Sequence, residues 1–173
     1  LLREMELRKT YLEGEPLETI YFGGGTPSQL APDDFARLFE AIRRHFDIGS
    51  CREITLEANP DDLTPAYAYA LGGLPFNRVS FDDADLRFLN RRHTAAQAIR
   101  AVENCRTAGI GNLSIDLIYG LPGQTEAGWE ANLREALALD VPHLSAYHLI
   151  YEEGTALYKL KEAGKVKPAA EET

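Results

Sequence analysis

Ser114-Ile115-Asp116-Leu117-Ile118-Tyr119-Gly120-Leu121-Pro122-Gly123-Gln124-Thr125 joins a strand-length run to a Gly- and Pro-containing turn. Side chains alternate along a strand, so Ser114 and Asp116 share one face while Ile115 and Leu117 share the other. Gly120 to Gln124 then forms a rigid turn, and Thr125 suits the N-cap of a following helix. Ile54-Thr55-Leu56-Glu57 repeats the pattern, with Ile54 and Leu56 opposite Thr55 and Glu57. Apolar toward flanking helices and polar toward an interior is how strands look when they feed the internal site of a βα barrel.

Further strand-length runs stand at Thr19-Ile20-Tyr21-Phe22, Asn77-Arg78-Val79-Ser80 and His143 to Ile150. Helical spacing is clearest over 33–46, where Phe35, Leu38, Phe39, Ile42 and Phe46 recur on one side. Pro32 suits a first helical position, and Arg43, Arg44 and His45 complement the macrodipole at the other end. A second helix is expected over 95–108, opened by the capping-box spacing from Thr94 to Gln97 and stopped by Gly109. A third, over 126–139, carries Trp129, Leu133, Ala136 and Leu137 on one face, and a short one runs from about Thr155 to Gly164. Strand and helix alternate, as in a parallel sheet. Five strands fit a doubly wound sheet or an arc of a βα barrel, and the strand faces favour a partial, open barrel. At one junction Asn77–Ser80 runs into Phe81-Asp82-Asp83-Ala84-Asp85, an acidic helix start, with no turn between them.

Composition bounds the function. The chain has 173 residues, 45% hydrophobic and 26% charged, which is ordinary for a globular domain. Eighteen basic residues against 27 acidic ones leave a net charge of −9, so bulk electrostatic binding of nucleic acid is not expected. No apolar stretch approaches the roughly 20 residues of a membrane-spanning helix. The opening Leu1-Leu2-Arg3-Glu4 shows no signal-peptide pattern. The two cysteines, Cys51 and Cys105, make neither a disulfide scaffold nor a zinc ribbon, and a reducing, cytoplasmic setting is expected.

Chemistry concentrates where strands end. Gly23-Gly24-Gly25 after Tyr21-Phe22 either frees N–H groups for a ligand, with the Thr26 hydroxyl beside them, or supplies positive φ in a tight turn. There is no Walker lysine and no GxGxxG. Glu57 stands where barrel sites collect and can accept hydrogen bonds from a ribose or an amine; a salt bridge is the plainer alternative. Asp116, a charge inside a strand, must be paired or bound to something. Arg91 either forks a carboxylate or is a solvated helix end, while His93 is alone and has no catalytic role. Tyr147 and His148 either line the site or pack the core. No hydrolytic triad, metal-spaced histidine cluster or nucleophile elbow is present.

Taken in order, Tyr21-Phe22-Gly23-Gly24-Gly25-Thr26-Pro27-Ser28, Glu57-Ala58-Asn59-Pro60, Phe76-Asn77-Arg78-Val79-Ser80, Ser114 to Thr125 and Leu144-Ser145-Ala146-Tyr147 resemble one family. They are similar to the oxygen-independent coproporphyrinogen III oxidase-like branch of the radical SAM enzymes, over roughly residues 17–160. The resemblance implies an α/β fold, a partial (β/α)6 TIM-like barrel binding S-adenosylmethionine beside a [4Fe–4S] cluster. It implies that Gly24, Gly25 and Thr26 contact the methionine end of that cofactor, and that Glu57, Arg91, Asp116 and the backbone of Ile150 complete its site. Residues 1–173 are then expected to be a single radical SAM core-domain fragment, with the N-terminal cluster loop and a C-terminal domain outside it.

Two departures bear on this. The family's CxxxCxxC motif lies upstream of the glycine strand, and Cys51 and Cys105 match no part of it, so the cluster ligands are not in these residues. The family also places a short Gly- and Gln-containing stretch between Val-Ser and Phe-Asp-Asp, where Ser80 here meets Phe81 directly. The resemblance leaves two functions open. One is a haem chaperone, to which Glu57-Ala58-Asn59-Pro60 and Phe81-Asp82-Asp83 are closer. The other is a coproporphyrinogen III dehydrogenase that oxidatively decarboxylates propionates. Either implies a porphyrinogen or haem as partner, and room for an electron donor protein. A third reading, outside the family, is a βα barrel that cradles a phosphate ligand on Gly23–Gly25.

Overall fold

Strands β1 (Thr19–Phe22), β2 (Glu53–Ala58), β3 (Arg78–Asp82), β4 (Asn112–Tyr119) and β5 (His143–His148) pair side by side in chain order, every pair parallel. The structure is a computed structural model that describes residues 1–82 and 95–169. A doubly wound sheet reverses its strand order at a switch point. This sheet never reverses, which makes it an arc of a βα barrel.

Register sorts the side chains. Thr55 aligns with Tyr21 on one side and Arg78 on the other, Glu57 with Ser80, Ser80 with Ser114, and Asp116 with Ser145. Residues in register on parallel strands share a face, so a polar face runs across all five strands. The opposite face carries Leu56, Val79, Leu113 and Ile115, each fully buried under the helices. The alternation read from the two strands therefore extends across the sheet.

Helices α2 (Pro32–His45), α3 (Pro65–Gly72), α4 (Ala95–Thr107) and α5 (Glu126–Ala138) follow the first four strands, with α1 (Leu2–Leu7) ahead of β1 and α6 (Ala156–Glu162) after β5. Pro32 opens α2, Arg43, Arg44 and His45 close it, and Phe35, Leu38, Phe39 and Ile42 are buried, as the spacing predicts. Phe35 and Phe39 meet Phe22 and Phe76 edge-to-face at 5.1–5.4 Å between ring centres. On α4 the small residues Ala98, Ala101 and Cys105 are buried in the core, and the helix packs beside α3.

Three expectations need correction. Phe81 and Asp82 do not begin a helix; they extend β3, because their backbones pair with Ile115 and Asp116 of β4. Leu137 is 65% exposed, and α5 buries only Ala136 fully, with Trp129 and Leu133 half-buried. The terminal strand stops at His148 rather than Ile150. Helix α3 had no periodic signal, since Pro65-Ala66-Tyr67-Ala68-Tyr69-Ala70 alternates as a strand would. Thr64 sets its start by accepting the Tyr67 N–H at 3.2 Å. Thr94, Arg91, His93 and the rest of the acidic stretch lie outside the described residues. Among the described residues no helix is long and apolar enough to cross a membrane.

Candidate functional site

The polar face is best equipped where the strands end. Beyond β1, Gly24 and Gly25 adopt left-handed backbones at φ 77° and 64°, and a Cβ on either would meet open space. These glycines therefore supply positive φ. Gly23 is different: its φ is not left-handed, yet a Cβ there would collide with the Tyr21 ring and come within 3.0 Å of Glu57 Oε2. Close approach is what excludes a side chain at 23.

Glu57, at the end of β2, is held from two sides. The Gly24 N–H donates to its Oε2 at 2.9 Å, and the Tyr21 hydroxyl donates to its Oε1. Neither alternative drawn from sequence, a free N–H cradle or a salt bridge, describes this arrangement fully. One loop N–H is spent on orienting the carboxylate, while Gly25 and Thr26 stay exposed, and Thr26 makes no capping bond. Lost hydration, the hydrogen bond to Glu57 and the charges of Glu57 and Asp116 push the Tyr21 phenol up to about 12. Tyr147 adds a smaller push.

Asp116 is half-buried on β4 and accepts the Ser80 hydroxyl at 3.1 Å on Oδ2. Tyr147 on β5 is 57% exposed on the polar face. His148 faces the other way, stacking edge-on against Tyr119 at 5.2 Å and closing on Gly120, where a Cβ would meet its Nε2 at 2.6 Å. It is exposed, so it neither lines the polar face nor belongs to the core. Gln124 fixes the same turn by accepting the Gly120 N–H at 2.8 Å.

Behind the glycine loop, the short 3-10 helix Pro27–Gln29 is tied to the loop after β2. Ser28 Oγ donates to Asp62 Oδ2 at 2.6 Å and accepts the Asn59 N–H at 3.0 Å, while Gln29 Nε2 donates to Asp62 Oδ1 at 2.6 Å. The structure thus brings Gly24 and Glu57 into direct contact and sets Asp116 on the same face two strands away. Ile150 stands exposed just past β5, and Arg91 lies outside the described residues. Tyr21, Ser80, Ser28 and Asp62 were not singled out from sequence. Only Tyr21 and Ser80 carried a signal, their places on polar faces of strands.

The cysteines do not fit an iron–sulfur cluster. Cys51 precedes β2, at the end of the sheet away from the site, and Cys105 is wholly buried on α4, where burial pushes its thiol up to about 12. Among the described residues no group of His, Cys, Asp and Glu is placed to hold a metal ion.

A profile of the Radical SAM superfamily matches residues 2–136. The chain belongs to the radical SAM superfamily. Membership assigns S-adenosylmethionine and a [4Fe–4S] cluster as its class of cofactors. Its relatives bear out the resemblance to the coproporphyrinogen III oxidase-like branch, haem chaperones included. The haem chaperone HemW of Lactococcus lactis is 38% identical, covering 92% of this chain and 44% of that protein. HemW of Bacillus subtilis is 37% identical, covering 94% of this chain and 45% of its own length. The Escherichia coli coproporphyrinogen III oxidase HemN, described as a radical SAM enzyme, superposes with a TM-score of 0.84 at 24% identity, over 99% of this chain and 40% of that one. The chain thus spans a little under half the length of these relatives.

Proposed function

We propose that this chain is the S-adenosylmethionine-binding part of a haem chaperone-type radical SAM protein. The observation that carries the cofactor assignment is Glu57, oriented by the Gly24 N–H at 2.9 Å beside an open glycine loop. S-adenosylmethionine carries an ammonium and a sulfonium charge, a carboxylate and ribose hydroxyls. Glu57 and Asp116 supply acceptors for the cationic and hydroxyl groups, and the exposed Gly25 N–H and Thr26 hydroxyl suit the carboxylate. Arg91 and the Ile150 backbone complete the set on the strength of the family resemblance. A phosphate cradle on Gly23–Gly25 is disfavoured, because Glu57 already takes the Gly24 N–H and a phosphate brings no cation to offset that carboxylate, as the ammonium of S-adenosylmethionine does.

When bound, the cofactor supplies the cleavable sulfonium on which the superfamily's radical chemistry depends. The residues of this chain would bind and orient it; Cys51 and Cys105 do not fit as ligands of a cluster. The two free thiols suit a reducing compartment such as the cytoplasm. Haem as cargo rests on the relatives named haem chaperones, and a protein electron donor is a further partner of this reading.

The test uses the full-length protein, prepared anaerobically and assayed with haem and with coproporphyrinogen III. One haem bound per chain with no decarboxylated product is expected. Turnover of coproporphyrinogen III would overturn the chaperone assignment in favour of the dehydrogenase.

A further inference from the structure

We infer that Tyr21 is a positioning residue for the cofactor: its phenol fixes the Glu57 carboxylate, and Gly23 is glycine so that the Tyr21 ring can reach across the loop to do so. This deepens the proposed S-adenosylmethionine site and rests on that reading. Three observations converge. The Tyr21 hydroxyl and the Gly24 N–H each take a different oxygen of Glu57, which removes the carboxylate's freedom to rotate. A Cβ at Gly23 would strike the Tyr21 ring and stand 3.0 Å from Glu57 Oε2, so the space above Gly23 is used by this pair. Register places Tyr21 beside Thr55, one step along the same face from Glu57, which puts the phenol within reach of the carboxylate.

The phenol is suited to this role because it donates one hydrogen bond and stays neutral. Its ionisation is held up near 12 by lost hydration, by that bond and by the negative charges of Glu57 and Asp116, so it donates throughout the neutral range. Each Glu57 oxygen still has a lone pair for a ligand. Tyr21 therefore orients the acid without consuming it. A phenylalanine would keep the ring over Gly23 and lose only the donor, which makes Tyr21→Phe the informative variant.

The experiment is a double-mutant cycle on the full-length protein, with Tyr21→Phe, Glu57→Gln and both together. S-adenosylmethionine affinity is read by calorimetry, and phenol ionisation by the NMR signal of 13Cζ-labelled tyrosine that Tyr21→Phe removes. Tyr21→Phe is expected to weaken binding by about tenfold in the wild-type background, the scale of a hydrogen bond to a charged group. In the Glu57→Gln background it should cost little more, and Glu57→Gln should return the Tyr21 titration toward 10. Unchanged affinity in Tyr21→Phe overturns the inference. So does an equal loss in both backgrounds, which marks a structural effect that does not pass through Glu57. A wild-type protein that binds no S-adenosylmethionine overturns the cofactor reading itself, a failure distinct from either of these.

Discussion

At the residue scale, the three consecutive glycines have two different causes. Gly24 and Gly25 are needed for their left-handed backbones, at φ 77° and 64°, and Gly23 for clearance beneath Tyr21. From sequence the run was legible as either a turn or a ligand loop; its backbone makes a turn that spends one N–H group on Glu57 and leaves Gly25 and Thr26 exposed for the proposed ligand. The partner could not be read, because it depends on how β1 aligns with β2, and alternation within one strand carries no register. Asp116 was legible, since a charge inside a strand demands a partner; that the partner is Ser80, on the neighbouring strand, was not. The cysteines give a prediction at this scale. Cys105 is fully buried and its thiol is held protonated, whereas Cys51 is half-buried near the surface. A thiol reagent at pH 8 should modify Cys51 of the native protein and reach Cys105 only after denaturant is added. Rapid modification of both would contradict the core placement of α4.

At the element scale, α2 and α3 show what a single sequence does and does not reveal. The recurrence of Phe35, Leu38, Phe39 and Ile42 marks the buried stripe of α2 because that helix presses one face on the sheet. Helix α3 buries Ala68 and Leu71 but alternates alanine and tyrosine, so its apolar period is lost and only its Thr64 cap and Pro65 mark it. Leu137 fails for a related reason: α5 packs through Trp129, Leu133 and Ala136, and Leu137 lies beyond the edge of that stripe. β3 extends to Asp82 because tertiary pairing with β4 overrides the local helical signal. The aromatic cluster joining α2 to β1 is correspondingly sensitive. Phe39→Ala removes a ring packed against both Phe22 and Phe76 and should cost about 3–5 kcal/mol. Urea unfolding measures this, and a loss below about 1 kcal/mol would mean the cluster collapses onto the vacancy.

At the scale of the whole molecule, five parallel strands in unbroken order place one polar face toward a shared interior and one apolar face under helices. The alternation legible in β2 and β4 was enough to foresee that division, because period two is a local property. Convergence of strand ends on one site is not local. It shows in the bonds from Tyr21 and Gly24 to Glu57 of β2, and from Ser80 of β3 to Asp116 of β4.

The same groups set how stability varies with pH. Burial raises the Cys105 thiol from 9.0 to about 12, and the Tyr21 and Tyr67 phenols rise from 10.0 to about 12. Each folded-state value lies above the unfolded one, so the fold favours the neutral form. That contribution is complete below pH 9 and is lost as pH climbs toward 12. The urea midpoint should therefore fall from about pH 9 upward, and Cys105→Ala should remove the part of the decline that begins before the phenols respond. An unchanged onset in Cys105→Ala would assign the alkaline loss to other groups.

Whether Glu57 and the glycine loop bind S-adenosylmethionine is decided by equilibrium binding of that compound to full-length wild-type protein and to Glu57→Gln. Saturable binding by the wild type is expected, with an affinity at least about tenfold lower in Glu57→Gln and urea stability little changed. Equal affinities in the two proteins, or no binding by the wild type, would contradict it.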